Sequence, residues 1–340
     1  MTISHTTYAR IGLMGNPSDG FGGKTLTVQI ADFGARATLN ESERLRIIPH
    51  PRHDPFEFES LQRLHDIAEQ DGYYGGTRLI YATCKRFCQY CREHGVALHA
   101  RNFAMEYDTN IPRQVGLGGS SAIITAVMRA LAAFFAVEIP EPVLPAVVLR
   151  AETGELGLTA GLQDRVVQAY GGVVYMDFAR DYMDAHGHGR YERIRPELLP
   201  PVYLAYRRDL GKESSTAHIR VRDLYESGDA TVVSTMAEIA ALADEARALM
   251  EAGGYEGLAA VINRNFDLRA RIFPIRPEDM KMIQSARATG ASAKFCGSGG
   301  AIVGSYRDEA MLERLRDAMG RDGYEFLVPH VAPNNRPSHT

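Results

Sequence analysis

A glycine-rich run directly in front of an apolar helix constrains this chain more than any other segment. Gly116-Leu-Gly-Gly-Ser-Ser121 leads into Ile123 to Val137, an apolar stretch interrupted by Arg129. Glycines let a backbone approach an anion without interference from a Cβ. A helix N-terminus offers unpaired N–H groups and the positive end of the helix dipole. Together these make a phosphate cradle, although a tight turn with a serine cap fits the same residues. Ser120 and Ser121 add hydroxyls that can contact a phosphate oxygen or a phosphate-bound Mg²⁺. Two common phosphate loops do not match. There is no G-x4-G-K-[ST], and a dinucleotide fingerprint starting at Gly116 needs Gly or Ala where Ser121 stands.

The run is set among strands and helices that read as segregated rather than alternating. Residues 8–15, 24–30, 35–39 and 45–48 read as strands, antiparallel in their spacing. Residues 60–71 and 77–94 have helical periodicity, and 103–107 reads as a strand. Helices are expected over 121–136, 141–156 and 162–170, then a strand over 173–178. Residues 181–200 carry Gly187, Gly189 and Pro196 and read as a junction. After it come a strand at 202–206, helices at about 214–226, 230–252, 255–267 and 277–289, a glycine-rich turn feeding a strand within 293–304, a last helix (307–321) and a strand (324–328). The tail from 332 reads as loose. Such a mix predicts an α+β fold.

Composition excludes several classes. The 340 residues carry a formal net charge of −4, so there is no general attraction to nucleic acid or anionic membrane. No apolar run approaches the ~20 residues that cross a bilayer, and no secretory leader is recognisable, so a cytoplasmic location is expected. Cys84, Cys88 and Cys91 have a spacing seen in iron–sulfur radical enzymes. Those positions also make one stripe of a helix, with Tyr81, Ala82, Phe87 and Val96 extending the apolar pattern, and thiols on a helix commonly act as small core hydrophobes.

Three ordered segments resemble the motifs of GHMP kinases. Pro112-x3-Gly116-Leu-Gly-Gly-Ser-Ser-Ala122 resembles the second motif, P-x3-G-L-[GS]-S-S-[GSA], with Gly119 where the pattern has its first fixed serine. Arg10-Ile-Gly-Leu-Met-Gly15 resembles the first, and Lys294-Phe-Cys-Gly297-Ser-Gly-Gly300 the third. Longer stretches resemble the plant-type glucuronokinase branch: ARIGLMGNPSD, GYYGG, YDTNIPRQVGL-x-GSSA, AGLQDRVVQAYGGVVYMDF, NRNFDLR and SGGA.

The resemblance implies a two-domain GHMP fold. Residues 1–190 would be an ATP-binding domain like the second domain of ribosomal protein S5, and residues 195–332 a ferredoxin-like domain. It implies ATP and Mg²⁺ as cofactors. Pro112, Gly116, Leu117, Gly118, Gly119, Ser120, Ser121 and Ala122 would form the nucleotide loop. Ser120 and Glu152 would hold the metal, with Glu155 a competitor. Asp164 matches the family's catalytic aspartate, where a carboxylate can accept a sugar hydroxyl proton; by itself it also reads as a partner of Arg165. Arg10 would neutralise phosphate charge or pair with Asp164. Asp19, Asn16, Gly297, Ser298 and Gly299 would lie on the sugar side, the third motif packing on the nucleotide loop. Asn16-Pro17 replaces the Glu-His of galactokinases, which argues against galactose. Lys294 or Arg113 is a candidate for a uronate carboxylate. The implied reaction makes glucuronate 1-phosphate. Another sugar (galacturonate or a heptose phosphate) or a non-catalytic sensor stands as the alternative. The expected partners are ATP and a small sugar acid, with no nucleic acid or membrane, in a monomer or homodimer.

Overall fold

The computed structural model describes residues 1–71, 75–207 and 215–335. In chain order the elements begin with β1 (Thr2–Met14), β2 (Lys24–Ser42), β3 (Arg46–Ile47), α1 (Leu61–Asp71), α2 (Gly76–Glu93), β4 (Asn102–Thr109) and α3 (Gly119–Phe135). Then come α4 (Leu144–Arg150), a π-helical turn (Ala151–Glu155), α5 (Gln163–Tyr170), β5 (Val173–Asp177), α6 (Arg180–His186), β6 (Arg190–Ile194) and β7 (Val202–Tyr206). The chain closes with α7 (Ser215–Glu226), α8 (Ala230–Glu251), α9 (Tyr255–Ile272), α10 (Pro277–Arg287), β8 (Lys294–Phe295), β9 (Ala301–Ser305), α11 (Glu309–Arg321) and β10 (Glu325–Leu327). No described helix is long and apolar enough to cross a membrane.

The chain forms two compact units, each assembled from several segments. The first takes residues 1–9, 33–112 and 118–169; the second takes 10–32, 113–117 and 170 onward. In the first unit, residues 35–42 of β2 pair antiparallel with β4, and β4 pairs with β3 in parallel. The parallel pair departs from the expected antiparallel run. The connection from β3 to β4 contains α1 and α2, long enough to return the chain in the same direction. Helix α3 is buried on nearly every side, from Ala122 through Phe134, and packs against α2 and α4. A helix this apolar all round belongs in a core. Strand β2 is one element where two were expected. At Gly34 a Cβ would come within 3.2 Å of Thr6 and Tyr8, so glycine lets the strand continue past a close neighbour.

In the second unit, residues 24–28 of β2 pair antiparallel with β5, and β5 with β6. Separately, four antiparallel strands run in the order β10-β7-β9-β8. Counted along the chain, that is the fourth strand, the first, the third and the second, with helices inside both crossovers. This is the ferredoxin-like arrangement. Its core joins Tyr203, Phe266, Met282, Phe295, Ile302, Leu315 and Met319.

Two expectations are corrected here. Residues 181–200 hold α6 and β6 rather than a junction. Gly187, at φ 75°, caps the C-terminus of α6, so it ends a helix instead of marking a linker. Residues 332–335 are not loose. Ala332 N–H donates to Gln29 O (2.8 Å), Asn335 N–H donates to Tyr170 O (2.9 Å), and Arg193 donates to Asn335 O (3.0 Å). Residues 336–340 lie outside the described residues, as do 72–74 of the GYYGG segment.

Candidate active site

In the first unit, α3 opens at Gly119 behind Gly118, whose φ of 76° places it in the left-handed region. No side chain caps the helix. The N–H groups of Gly119, Ser120 and Ser121 find no acceptor among the described residues. They are the orphan donors that every helix start leaves. Gly118 O is itself held, by Ala122 N–H (3.0 Å), Ser121 Oγ (3.0 Å) and Gln168 Nε2 of α5 (2.8 Å). The two serines therefore differ. Ser120 is exposed, whereas Ser121 is fully buried with its hydroxyl spent on Gly118. Neighbouring helix positions point about 100° apart, so one faces out and the next faces the core. This corrects the reading of both hydroxyls as phosphate contacts: the Ser121 hydroxyl is turned inward, and Ser121 can offer only its amide. Leu117 and Ala122 are also buried, which leaves them backbone roles only.

Ser120 begins a polar run that ends at Asp164. Its Oγ donates to Glu152 Oε1 at 2.7 Å. Glu152 sits in the π-helical turn, and its Oε2 accepts from Arg165 Nε (2.8 Å) and also from Arg165 Nη2. Both partners are buried, with side chains 2% and 5% exposed. Arg165 Nη1 donates to Gly161 O at 2.8 Å and stands 3.6 Å from Asp164 Oδ2. Asp164 lies in the first turn of α5 with its side chain 18% exposed. Arg165 does touch Asp164, but the buried charge it compensates is Glu152.

The second unit holds the other half of the glycine run. Gly116 has φ 70°, and a Cβ there would stand 3.1 Å from both Gly299 O and Ser298 N. Gly297 to Gly300 form the turn between β8 and β9, so the third motif packs on Gly116 backbone to backbone. Two guanidiniums lock this contact. Arg10, buried at the middle of β1, donates to Gly116 O and to Cys296 O (3.4 Å). Arg269 of α9 donates to Gly297 O (2.9 Å) and Ser298 O (2.8 Å). Gly116→Ala meets both a left-handed backbone and a crowded face. At roughly 1–2 kcal/mol of local strain, a Tm lower by about 2–8 °C is expected, read by thermal denaturation.

Asn16 opens the loop that follows β1, and Lys294 stands in β8. Asn16 is buried; its Nδ2 donates to Phe295 O at 3.4 Å, and its Oδ1 accepts from Lys294 Nζ. Lys294 Nζ also donates to Gly12 O (2.7 Å) and Phe295 O (2.8 Å). Both side chains, expected on the sugar side or at a sugar carboxylate, are engaged with each other and with the backbone. Arg113 is half-buried, and so is Asp19, in the turn Ser18–Phe21. Burial pulls the Lys294 ammonium down to about 7, with Arg10 and Arg269 adding to the effect. An unfolded lysine keeps its proton up to about 10.4, so between those values the unfolded chain binds more protons and the group favours the fold increasingly as pH rises. The Tm of the wild type minus that of Lys294→Met is therefore expected to increase from pH 7 to pH 9, measured by thermal denaturation.

Comparison with known proteins decides the family. The sequence matches the GHMP kinases N terminal domain over residues 78–172. It is 45% identical over 338 residues to Glucuronokinase 1 of Arabidopsis thaliana, covering 98% of this chain and 93% of that one. It is 47% identical over 307 residues to Probable glucuronokinase 2 of the same plant, covering 88% and 83%. The chain is a GHMP kinase. Among solved structures, Lactococcus lactis galactokinase complexed with galactose matches this kinase with a TM-score of 0.78, 16% identity and coverage of 98% and 95%. Streptococcus pneumoniae phosphomevalonate kinase matches with a TM-score of 0.73, 16% identity and coverage of 97% and 99%. Those likenesses show the two-domain fold, and the kinase is a small-molecule phosphotransferase.

The donor set of this kinase suits Mg²⁺. Adjacent corners of an octahedron at roughly 2.0–2.1 Å from the metal stand about 2.9 Å apart. Ser120 Oγ and Glu152 Oε1, hydrogen-bonded at 2.7 Å, are close enough to share one cation. Arg165 occupies the other carboxylate oxygen, leaving Glu152 one oxygen to offer. No cluster of three His, Cys, Asp or Glu that could hold a metal occurs among the described residues, so phosphate oxygens and water would complete the shell. The cysteines of α2 fit the helix reading. Cys91 is buried, Cys88 exposed, and burial pushes the Cys84 thiol up to about 12. Tyr81 and Val96, expected to extend that apolar stripe, are exposed.

Four residues, two in each unit, went unassigned from sequence. Gln168 holds Gly118 four positions after Asp164, on the same helix face. Arg165 joins Glu152 to Asp164. Asn265 and Arg269, also four apart, brace Asn16 and the third motif from one face of α9. The last pair lay in plain view in NRNFDLR, but nothing in that segment showed what it faced.

Proposed function

We propose that this kinase transfers the γ-phosphoryl group of ATP to the anomeric oxygen of D-glucuronate, giving glucuronate 1-phosphate and ADP. Support for the acceptor comes from the 45% identity to an Arabidopsis glucuronokinase along nearly the whole chain. Support for the chemistry comes from the continuous polar run Ser120–Glu152–Arg165–Asp164.

The anomeric O–H gives its proton to Asp164 as its oxygen bonds to the γ-phosphorus and the bond to the ADP oxygen breaks. The free amides of Gly119, Ser120 and Ser121 receive phosphate oxygens with no reorganisation at the moment of reaction. Arg10, fixed by the Gly116 and Cys296 carbonyls, contributes positive charge at Gly116. Ser120 and Glu152 would hold Mg²⁺, which neutralises charge on the phosphate oxygens when bound. Asp19 contacts sugar hydroxyls, and the Gly297–Gly299 turn supports the acceptor side. Residues 1–190 serve as the ATP-binding domain and 195–332 as the C-terminal domain of a cytoplasmic enzyme.

The test is ADP release, coupled to a reporter, over glucuronate, galacturonate, a heptose phosphate and neutral hexoses with Mg-ATP. The highest kcat/KM is expected with glucuronate. A neutral hexose turned over faster than either uronate overturns the acceptor assignment. Sugar and ATP binding without ADP release overturns catalysis itself and leaves a sensor.

A further inference from the structure

Lys294 is 2% exposed, and a charge that deep ordinarily faces a carboxylate. Its acceptors are instead Gly12 O, Phe295 O and Asn16 Oδ1, and no carboxylate partners it among the described residues. Three donors meet three acceptors, the full complement of an ammonium. Gly12 lies near the end of β1, Asn16 opens the loop that follows, and Phe295 is in β8. The ammonium therefore ties the last turn of backbone before the loop to the strand beneath it.

Other bonds carry that tie outward. Asn265 of α9 accepts from Gly15 N–H (2.8 Å) and donates to Asn16 O (3.2 Å). Ser18 Oγ donates to Lys24 O (3.0 Å), and Gly23 N–H donates to Ser18 O (2.9 Å), closing the loop on itself. Asp19 rides in the turn this closure makes. The third motif has separate ties, through Arg10 and Arg269.

We propose that Lys294 is a positioning residue for the sugar side of the reaction, its ammonium drawing Gly12 and Asn16 onto β8 and so setting where Asp19 is held. The proposal rests on the reading of Asp19 as a sugar contact. Three oxygens converge on the ammonium. With an apolar side chain in its place they lose their shared donor and repel one another, and the loop relaxes. Gly116 of the nucleotide loop, held separately by Arg10, is spared.

Lys294→Met is therefore expected to raise the KM for the sugar about tenfold or more, with the KM for ATP within about twofold of the wild type. Lys294→Gln, which keeps a donor in a similar volume, is expected to fall between the two, and it carries the test if the methionine variant does not fold. Asn265→Ala, removing the neighbouring tie, is expected to shift the sugar KM in the same direction. Unchanged KM values with a lowered Tm, or equal increases in both, overturn the proposal. The measurement is made at pH 6, where Lys294 keeps its proton, and uses whichever sugar the wild type turns over fastest. A preference for a neutral hexose then defeats the glucuronate reading alone, while the split between sugar and ATP still decides the role of Lys294.

Discussion

Asp164→Asn is expected to lower kcat by about 10²–10⁴-fold, the range a positioned general base contributes, while the protein stays folded and binds ATP. The substitution keeps the size and planarity of the side chain and removes its capacity to take a proton. Asp164 is partly exposed and its contact with Arg165 is 3.6 Å, so the loss of that ion pair costs little stability. Steady-state kinetics and thermal denaturation on the same preparation separate the two effects. A fall in kcat of less than about tenfold removes Asp164 from proton transfer. A large fall in Tm would mean that Asp164 braces the fold instead.

The second large effect is on stability. Arg165→Met leaves the Glu152 carboxylate buried with Ser120 as its remaining hydrogen-bond donor. Breaking a buried ion pair from one side costs roughly 3–5 kcal/mol, which at about 2–4 °C per kcal/mol predicts a Tm lower by about 6–20 °C. Activity is expected to fall as well, because Glu152 loses the two Arg165 donors that hold its Oε2. Adding Glu152→Gln removes the stranded charge, so the double variant is expected to regain much of the lost Tm and none of the activity. A double variant as unstable as the single one would show that Arg165 acts through Gly161 and its packing rather than through Glu152.

Much of the site was legible because it is local. Glycines before an apolar helix state their chemistry within seven residues, and the order of the three motifs carries the ferredoxin-like half with it. What the chain order hides is direction and depth. Ser120 and Ser121 are adjacent and chemically identical, yet one helix step puts the first in solvent and the second in the core. Arg165 follows Asp164 directly, so it reads as that residue's partner; its stronger partner, Glu152, is thirteen positions back in a π-helical turn that no periodicity announces. Lys294 stands beside the third motif as a cation within reach of a ligand. Only its burial between β1 and β8 shows that its three donors are already used. Gly187 looks like a linker glycine because a C-cap and a linker call for the same residue.

The most direct measurement is a crystal structure of the kinase with Mg²⁺, a nonhydrolysable ATP analogue and glucuronate. The β- and γ-phosphates are expected on the amides of Gly119 to Ser121, with Ser120 and Glu152 both on the metal. The anomeric hydroxyl is expected within hydrogen-bond reach of Asp164. Phosphates bound away from the start of α3, or a different hydroxyl presented to Asp164, would contradict it.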